Sequence, residues 1–528
     1  MSINKTNSDN SCKDTIAHRI EFIKNLMKKQ QFDPLVDFNN TKTENFIGGN
    51  RKEEESGESY DTRIIFKKRM LKLMNVVGTI GTNGSLQYVA GGTTGHVFKG
   101  TAHDQRGEFE YGVKIVAFPR KTKYGPIHDT RRPENAELMM IKLLSYFVVN
   151  NQTPHIALPI GTFYTDMNSF IELFNELVKS NEINDKCIEK HKKFIEKYNN
   201  NEYHSKVSVL ISEWANRGNL LKFIQKKYTE FMPIHWKVIL FQIISVIALI
   251  QSKYPSFRHN DMKANNILVH KISNPNLTFF YAVADNVYEI PNIGCGIKLW
   301  DFDFACIPNI VDNVKVTAKW TKDINVTPEQ NRYYDLHYFF NTLIKDGFFP
   351  EFFTSEYVPQ DVKDFVNRIV PPKFQFAREG IIHERGRILI NTEFTTPDEI
   401  LRTDPYFEEF RRPTMKIELH NGHTKIKTAS SATPKPNITK STKQSSKNNT
   451  NIATNTNNLI NTTTPIFDLT KFLKYDKQPD NQNKQTKDMK ETNNKDKSKK
   501  HKKSRTKSKT RTISDDMKHL DPYVILQS

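Results

Sequence analysis

Four polar residues, His259, Asp261, Lys263 and Asn266, are crowded into the stretch FRHNDMKANNILV, Phe257 to Val269, directly before the apolar run Ile267, Leu268, Val269. Charged and amide groups are costly to bury without partners, so polar crowding where the chain enters its own core needs a chemical reason. Two other stretches indicate which chemistry. In AGGTTGHVFKG, Ala90 to Gly100, glycines at 91, 92 and 95 separate two strand-like runs. A backbone without Cβ atoms can approach a ligand closely and aim N–H groups at phosphate oxygens, although a Gly-Gly pair also serves a plain hairpin turn. In YGVKIVAF, Lys114 sits inside an apolar strand, where it needs an anion unless its head reaches solvent at an edge. Further on, Glu137 could supply a carboxylate, with Glu134 one turn earlier as the competing candidate.

These residues need elements to hold them. SLQYVAGGTTGHVFKGTA and FEYGVKIVAF read as strands separated by the polar turn HDQRGE, and ENAELMMIKLLSYFV, with Pro133 at its start, reads as a helix. HIALPIGTFY and KVSVLISEW read as strands again, and helices dominate from Leu220. The expectation is an α+β body, a small β-rich lobe followed by a helical one, over residues 76–412.

Outside that body the composition changes. Residues 1–75 are polar and carry RKEEESGESYD at Arg51, so they are expected to be a mostly loose extension. From Asn421 onward 23 Lys+Arg face 9 Asp+Glu, which places +14 of the total charge of +19 in the tail. Residues 413–528, rich in Asn, Thr, Lys and Ser, cannot bury enough apolar surface to offset the entropy of ordering them. Their run KDKSKKHKKSRTKSKTRT would make weak, salt-sensitive contacts with acidic protein, nucleic acid or an anionic membrane. No zinc-finger, RNP or helix-turn-helix pattern supports a dedicated nucleic-acid binder.

Four cysteines without a CxxC pair exclude a disulfide framework and zinc-ligand spacing, and point to a reducing, intracellular compartment. The most apolar run, WKVILFQIISVIALI from Trp236, is fifteen residues long, short of the roughly 20 that a bilayer span needs. The polar start MSINKTNSDNSCKD has no apolar stretch behind its charges, so neither a signal peptide nor a transmembrane segment is expected.

His259, Asp261, Lys263 and Asn266 match the H-x-D-x-K-x-x-N catalytic loop of protein kinases, and Asp301 in KLWDFDFA matches the Asp of the D-F-G segment. With the glycine loop, Lys114 and Glu137 in the same order, the chain resembles the eukaryotic-type Ser/Thr protein kinase family. In its divergence and its Asn/Lys/Thr-rich style it is similar to the kinases of large DNA viruses, including mimivirus-like giant viruses and the poxvirus virion kinase.

The resemblance implies a bilobal kinase fold over 76–412, with the N-lobe at 76–215 and the C-lobe at 216–412. It also implies ATP and Mg2+ as cofactors and protein substrates bearing Ser or Thr. Ala90, Gly91, Gly92, Thr93, Thr94, Gly95, His96 and Val97 would cover the ATP phosphates. Lys114, tethered by Glu137, would bind the α- and β-phosphates. Ser212 falls at the gatekeeper, and Glu213 to Ala215 would offer hinge backbone groups to adenine. Asp261 would accept or orient the substrate hydroxyl proton, Lys263 would neutralise the moving phosphoryl group, and Asn266 and Asp301 would hold magnesium. The position of Lys263 resembles Ser/Thr-specific rather than tyrosine kinases. His259 and Asp335 would support the loop.

Several positions depart from the pattern. Asn260 replaces the Arg that many kinases use to hold a phosphorylated activation loop, so the resemblance gives no ground for that control. The segment reads D-F-D, and Asp303 lacks the backbone freedom of glycine. TPE, Thr327 to Glu329, matches A-P-E only loosely. A helical insertion is expected at 165–204 and an enlarged hairpin between Lys271 and Gly296. H-N-D followed by an acidic residue after Asp-Phe also fits choline- or aminoglycoside-type kinases, against which stand Lys263, SEWANRGNLL and TPDEILRTDPYF. A pseudokinase scaffold is the third reading, opposed by the retention of Lys114, Asp261 and Asp301.

Overall fold

The computed structural model describes residues 15–428 apart from 29, 40–67, 93, 106, 180–182, 275–277, 284–285, 414 and 421–422. The basic run of the tail and Thr93 lie outside the described residues.

The first lobe is a six-stranded antiparallel sheet, in the order Asp33–Pro34, Pro159–Asp166, Tyr203–Glu213, Gly107–Pro119, Gly95–Asp104, Thr82–Gly91. The glycine hairpin closes through Gly92 N–H to Gly95 O at 2.8 Å. Helix Pro133–Val149, with Pro133 preset in its first turn, is buried nearly all round.

The second lobe is organised by helix Pro233–Lys253. It exceeds the fifteen-residue run seen in the sequence and is long and apolar enough to cross a membrane. Most of its side chains are instead buried in the core, from Trp236 to Gln251. The catalytic-loop residues follow it and lead into strand Ile267–Lys271, which pairs with Cys295–Leu299. The enlarged hairpin is a real one, Thr278–Val283 against Asn286–Pro291. This mixed architecture is the expected α+β, kinase-like fold.

Two expectations about the ends need correction. Part of the loose N-terminal extension is folded: Ile16–Met27 is a helix, capped by Thr15 accepting from His18 N, and it buries Ile23 and Leu26 in the main core. Its apolar Ile16, Ile20, Ile23 and Met27 stand at helical spacing, a local pattern that the polar composition of the whole extension conceals. At the other end, Met415–His420 and His423–Thr428 pair as an antiparallel ribbon inside what composition assigned to the disordered tail.

The helical insertion forms Met167–Lys179 and Asp185–Asn199, the second capped by Asn184 accepting from Cys187 N. Both lie over the glycine-hairpin strands through a cluster of Tyr88, His96, Phe170, Phe174, His191 and Phe194. His191 stacks on Phe174 with ring centroids 3.5 Å apart. Neither of its ring nitrogens has a hydrogen-bond partner among the described residues.

Burial lowers the His191 pKa to about 4, and burial followed by the His191 and Lys190 charges lowers that of His96 to about 3. Because both folded values lie below the ordinary one, the unfolded chain binds these protons first as pH falls. The stability from neutral histidines is complete above the ordinary value and lost toward pH 4. At pH 5 this costs about 2 kcal/mol for each such histidine. His191→Phe should therefore narrow the loss of melting temperature between pH 7 and pH 5; an equal loss in variant and wild type would contradict the assignment.

Candidate active site

Lys114 lies mid-strand in Gly107–Pro119, directly opposite Val97 of the glycine hairpin, so the two side chains share one face of the sheet. Its Nζ is 2.6 Å from Glu137 Oε1 and 2.8 Å from Asp301 Oδ1. Glu134, the competing carboxylate, instead pairs with the buried Arg132 at 3.0 Å. One ammonium thus joins the sheet, the helix and the second lobe. Burial raises the pKa of Glu137 despite Lys114, whereas Lys114 outweighs burial at Asp301 and lowers it. Two buried carboxylates share one cation, which leaves the cluster one positive charge short of balance.

The loop Arg258–Asn266 hangs from buried anchors. Asp335 accepts from His259 N at 2.7 Å and Asn260 N at 2.9 Å. His259 Nε2 donates to Trp300 O at 3.0 Å, and its ring lies 5.1 Å from that of Phe302. His259 is therefore a supporting side chain. Asn266 Nδ2 donates to both the backbone O and Oδ2 of Asp261 at 2.9 Å, and Lys263 Nζ is 3.3 Å from the same Oδ2. Asp261 Oδ1 receives a donor that sequence reasoning missed, Arg387 Nη2 at 2.6 Å. Burial pushes the Asp261 pKa up, but Lys263 and Arg387 more than offset it and hold the carboxyl well below the usual range.

Asn260 (φ 62) and Asp301 (φ 63) are among the residues with positive backbone angles and Asp303 is not, so D-F-D needs no glycine at its third position. Asp303 is ion-paired with Lys315. Asn266 turns both amide hydrogens toward Asp261, so its amide oxygen points the other way. That oxygen and the Asp301 carboxylate are the hard donors magnesium prefers.

The glycine hairpin also has a packing role. A Cβ at Gly91 would lie 2.1 Å from the Tyr88 hydroxyl and 2.8 Å from His96 Nδ1, so glycine is needed there to admit those side chains. His96 is fully buried in the aromatic cluster, which leaves only its backbone for a ligand. Ala90 pairs with Val97, Thr94 O accepts from Ala117 N at 2.7 Å, and Lys190 Nζ reaches Gly91 O at 3.3 Å. The insertion therefore grips the hairpin from the side away from Lys114.

At the hinge, Ser212 is buried, Glu213 N donates to Leu158 O at 3.0 Å, and Ala215 begins the crossing to the second lobe. The Glu213 side chain is itself a buried junction, 2.5 Å from Arg19 Nη2 and 2.8 Å from Lys298 Nζ. Burial pushes its pKa up, and these two cations more than reverse the effect. Arg19 also donates to Pro154 O and Ile156 O, both at 2.8 Å. Nothing in the local pattern of the N-terminal helix marked Arg19.

The model of the poxvirus serine/threonine protein kinase family matches residues 126–368. A protein of Acanthamoeba polyphaga mimivirus that bears a provisional serine/threonine-protein kinase name is 44% identical over 412 residues, 77% of this chain and 83% of the relative. The chain belongs to the serine/threonine protein kinases of large DNA viruses. Serine/threonine-protein kinase 2 of swinepox virus is 28% identical over 167 residues, 29% of this chain and 35% of the relative. The fowlpox virus protein of the same name is 32% identical over 120 residues, 22% and 23% of the two chains. The small-molecule kinase reading gives way to a protein kinase.

Arg258 and Asn260 tie the segment between Phe304 and Glu329 through neutral acceptors. Arg258 Nη1 donates to Thr327 Oγ1 at 3.0 Å and Glu329 O at 3.1 Å, and Nη2 to Asn325 O at 2.5 Å. Asn260 Nδ2 donates to Phe304 O at 3.1 Å and Thr327 O at 3.2 Å. Since these acceptors are neutral, kinase treated with phosphatase should keep its protein-phosphorylating rate within about twofold; loss of most activity would contradict a segment held this way. Arg19→Ala should cost about 3 kcal/mol in denaturant unfolding, because it leaves a buried carboxylate with one partner fewer. Arg131→Ala, which removes an exposed pair with Asp129, should cost less than about 1 kcal/mol.

Proposed function

We propose that this kinase transfers the γ-phosphoryl group of ATP, with magnesium, to Ser and Thr hydroxyls of proteins. The observation that carries the reading is Lys114 placed between Glu137 and Asp301, at 2.6 and 2.8 Å, on the sheet face it shares with Val97. An ammonium held this way can meet α- and β-phosphate oxygens without searching rotamers. The hairpin 90–97 would lie over the phosphates through its backbone. The Glu213 carbonyl and the Ala215 N–H would meet the adenine edge.

Asp301 and Asn266 would hold magnesium, which supplies charge neutralisation for the phosphate oxygens. Asp261 orients the acceptor hydroxyl by accepting its hydrogen bond. The hydroxyl oxygen forms the new bond to phosphorus as the bond from phosphorus to the bridging β-phosphate oxygen breaks, and that electron pair leaves with ADP. Because Asp261 is a weak base among its cations, the proton ends on the phosphorylated product or in solvent. Lys263 stabilises the transferring group. An intracellular site of action fits the buried free thiols of Cys187, Cys295 and Cys306.

Asp261→Asn and Asp301→Asn should each lower kcat for protein phosphorylation by about 10²–10⁴ with the fold intact by melting temperature, and Lys114→Met should raise the KM for ATP. Full-rate transfer to protein by both Asn variants would sink the site assignment. Transfer confined to choline or aminoglycosides would sink the substrate class.

A further inference from the structure

Arg387 belongs to the segment Arg378–Asn391, which lies beyond the stretch matched by the poxvirus kinase family and carries none of the motifs that marked the site. It is nonetheless buried, and its guanidinium makes three separate contacts with the catalytic loop and its support. Nη2 donates to Asp261 Oδ1 at 2.6 Å, and Nη1 donates to the backbone O of Asn260 and to the Tyr334 hydroxyl, the latter at 3.2 Å. The guanidinium carbon also lies 4.0 Å from the centre of the Tyr338 ring. Tyr334 and Tyr338 belong to the same helix as Asp335, so Arg387 and Asp335 grip Asn260 from opposite ends, one at its carbonyl and the other at its N–H.

The segment that delivers Arg387 is firmly built. Asn341 Nδ2 donates to Gly386 O at 2.9 Å, His383 N to Arg387 O at 2.8 Å, and Asn325 Nδ2 to Ile388 O at 2.9 Å, while Ile382 and Ile388 are buried. Gly386 takes a left-handed φ of 83, which turns the chain toward the site.

The consequence lies in how the Asp261 carboxylate is filled. Oδ2 accepts from Asn266 and Lys263, whereas among the described residues Oδ1 accepts from Arg387 alone. A carboxylate oxygen has two acceptor sites, so Oδ1 retains one for an incoming hydroxyl. Without Arg387 the carboxylate is held at Oδ2 alone, by Asn266 and Lys263, and its plane can swing about that oxygen so that Oδ1 loses its fixed direction. We infer that Arg387 is a positioning residue for phosphoryl transfer: it fixes the rotation of Asp261 so that the second acceptor site of Oδ1 receives the Ser or Thr hydroxyl. This inference rests on Asp261 as the residue that orients the acceptor. It extends that reading to a residue that itself touches neither ATP nor substrate.

The test uses the full chain with Arg387→Met, Arg387→Lys, Asp261→Asn and the double variant Asp261→Asn/Arg387→Met. Phosphorylation of a generic protein substrate, hydrolysis of ATP to water and the KM for ATP are measured for each. Arg387→Met should lose about 10²-fold in kcat for protein transfer, with the KM for ATP and the slow hydrolysis within about twofold of wild type. Arg387→Lys keeps the charge but cannot make three contacts at once, and should recover about tenfold of that loss. The double variant should be no slower than Asp261→Asn alone, because two residues acting as a unit do not add.

Losses that multiply in the double variant, or transfer, hydrolysis and ATP binding falling together, would overturn the inference and leave Arg387 a structural residue. If Arg387→Met does not fold, Arg387→Lys decides, since an unchanged kcat in that variant is equally fatal. An active Asp261→Asn would defeat the underlying site assignment instead, and it is read in the background of intact Arg387.

Discussion

One ammonium group, that of Lys114, has to satisfy two buried carboxylates that arrive from different parts of the fold. Glu137 comes from the helix beside the sheet and Asp301 from the end of the strand pair in the second lobe. Burial alone would drive both acids toward their neutral forms, and Lys114 is what keeps charge in the cleft. The same cluster is short of one positive charge, which a bound divalent cation would supply. The position of the helix, the end of the Cys295–Leu299 strand and the register of the Lys114 strand are therefore fixed against one another at the site.

The catalytic loop depends on a second buried carboxylate. Asp335 holds two consecutive N–H groups, and with them the left-handed turn at Asn260. Around this point the segment after Asp301 is tied down by neutral hydrogen bonds and one ion pair. Arg258 and Asn260 bond neutral backbone and hydroxyl acceptors of the activation segment, and Lys315 takes the carboxylate of Asp303. Fixed hydrogen bonds of this kind hold the segment in the folded chain itself.

Two additions brace the small lobe from outside. The insertion helices cover the hairpin strands with aromatic rings, and the N-terminal helix sends Arg19 to the hinge carboxylate and to two carbonyls that precede the next strand. Buried rings contribute about 2 kcal/mol each through area alone, so the insertion is a substantial part of the core of this lobe. Its cost is a pair of neutral histidines that tolerate acid poorly.

The sequence by itself determined the lobes, the order of the strands, the central helix and the catalytic stretch, because these depend on local periodicity and on residue types that phosphoryl chemistry demands at short spacing. Asp261, Lys263 and Asn266 are legible for that reason, and the structure brings them into mutual contact. Only the tertiary structure decided between Glu134 and Glu137, since both lie on one helix face and the choice turns on where Arg132 and Lys114 sit. It alone turned the His96 side chain into an aromatic core. It alone brought Arg19 and Arg387 to carboxylates far away in the chain. The physical reason is that periodicity tells which face of an element is buried, but the partner of a buried polar group is set by where a distant segment returns, and no local pattern records that.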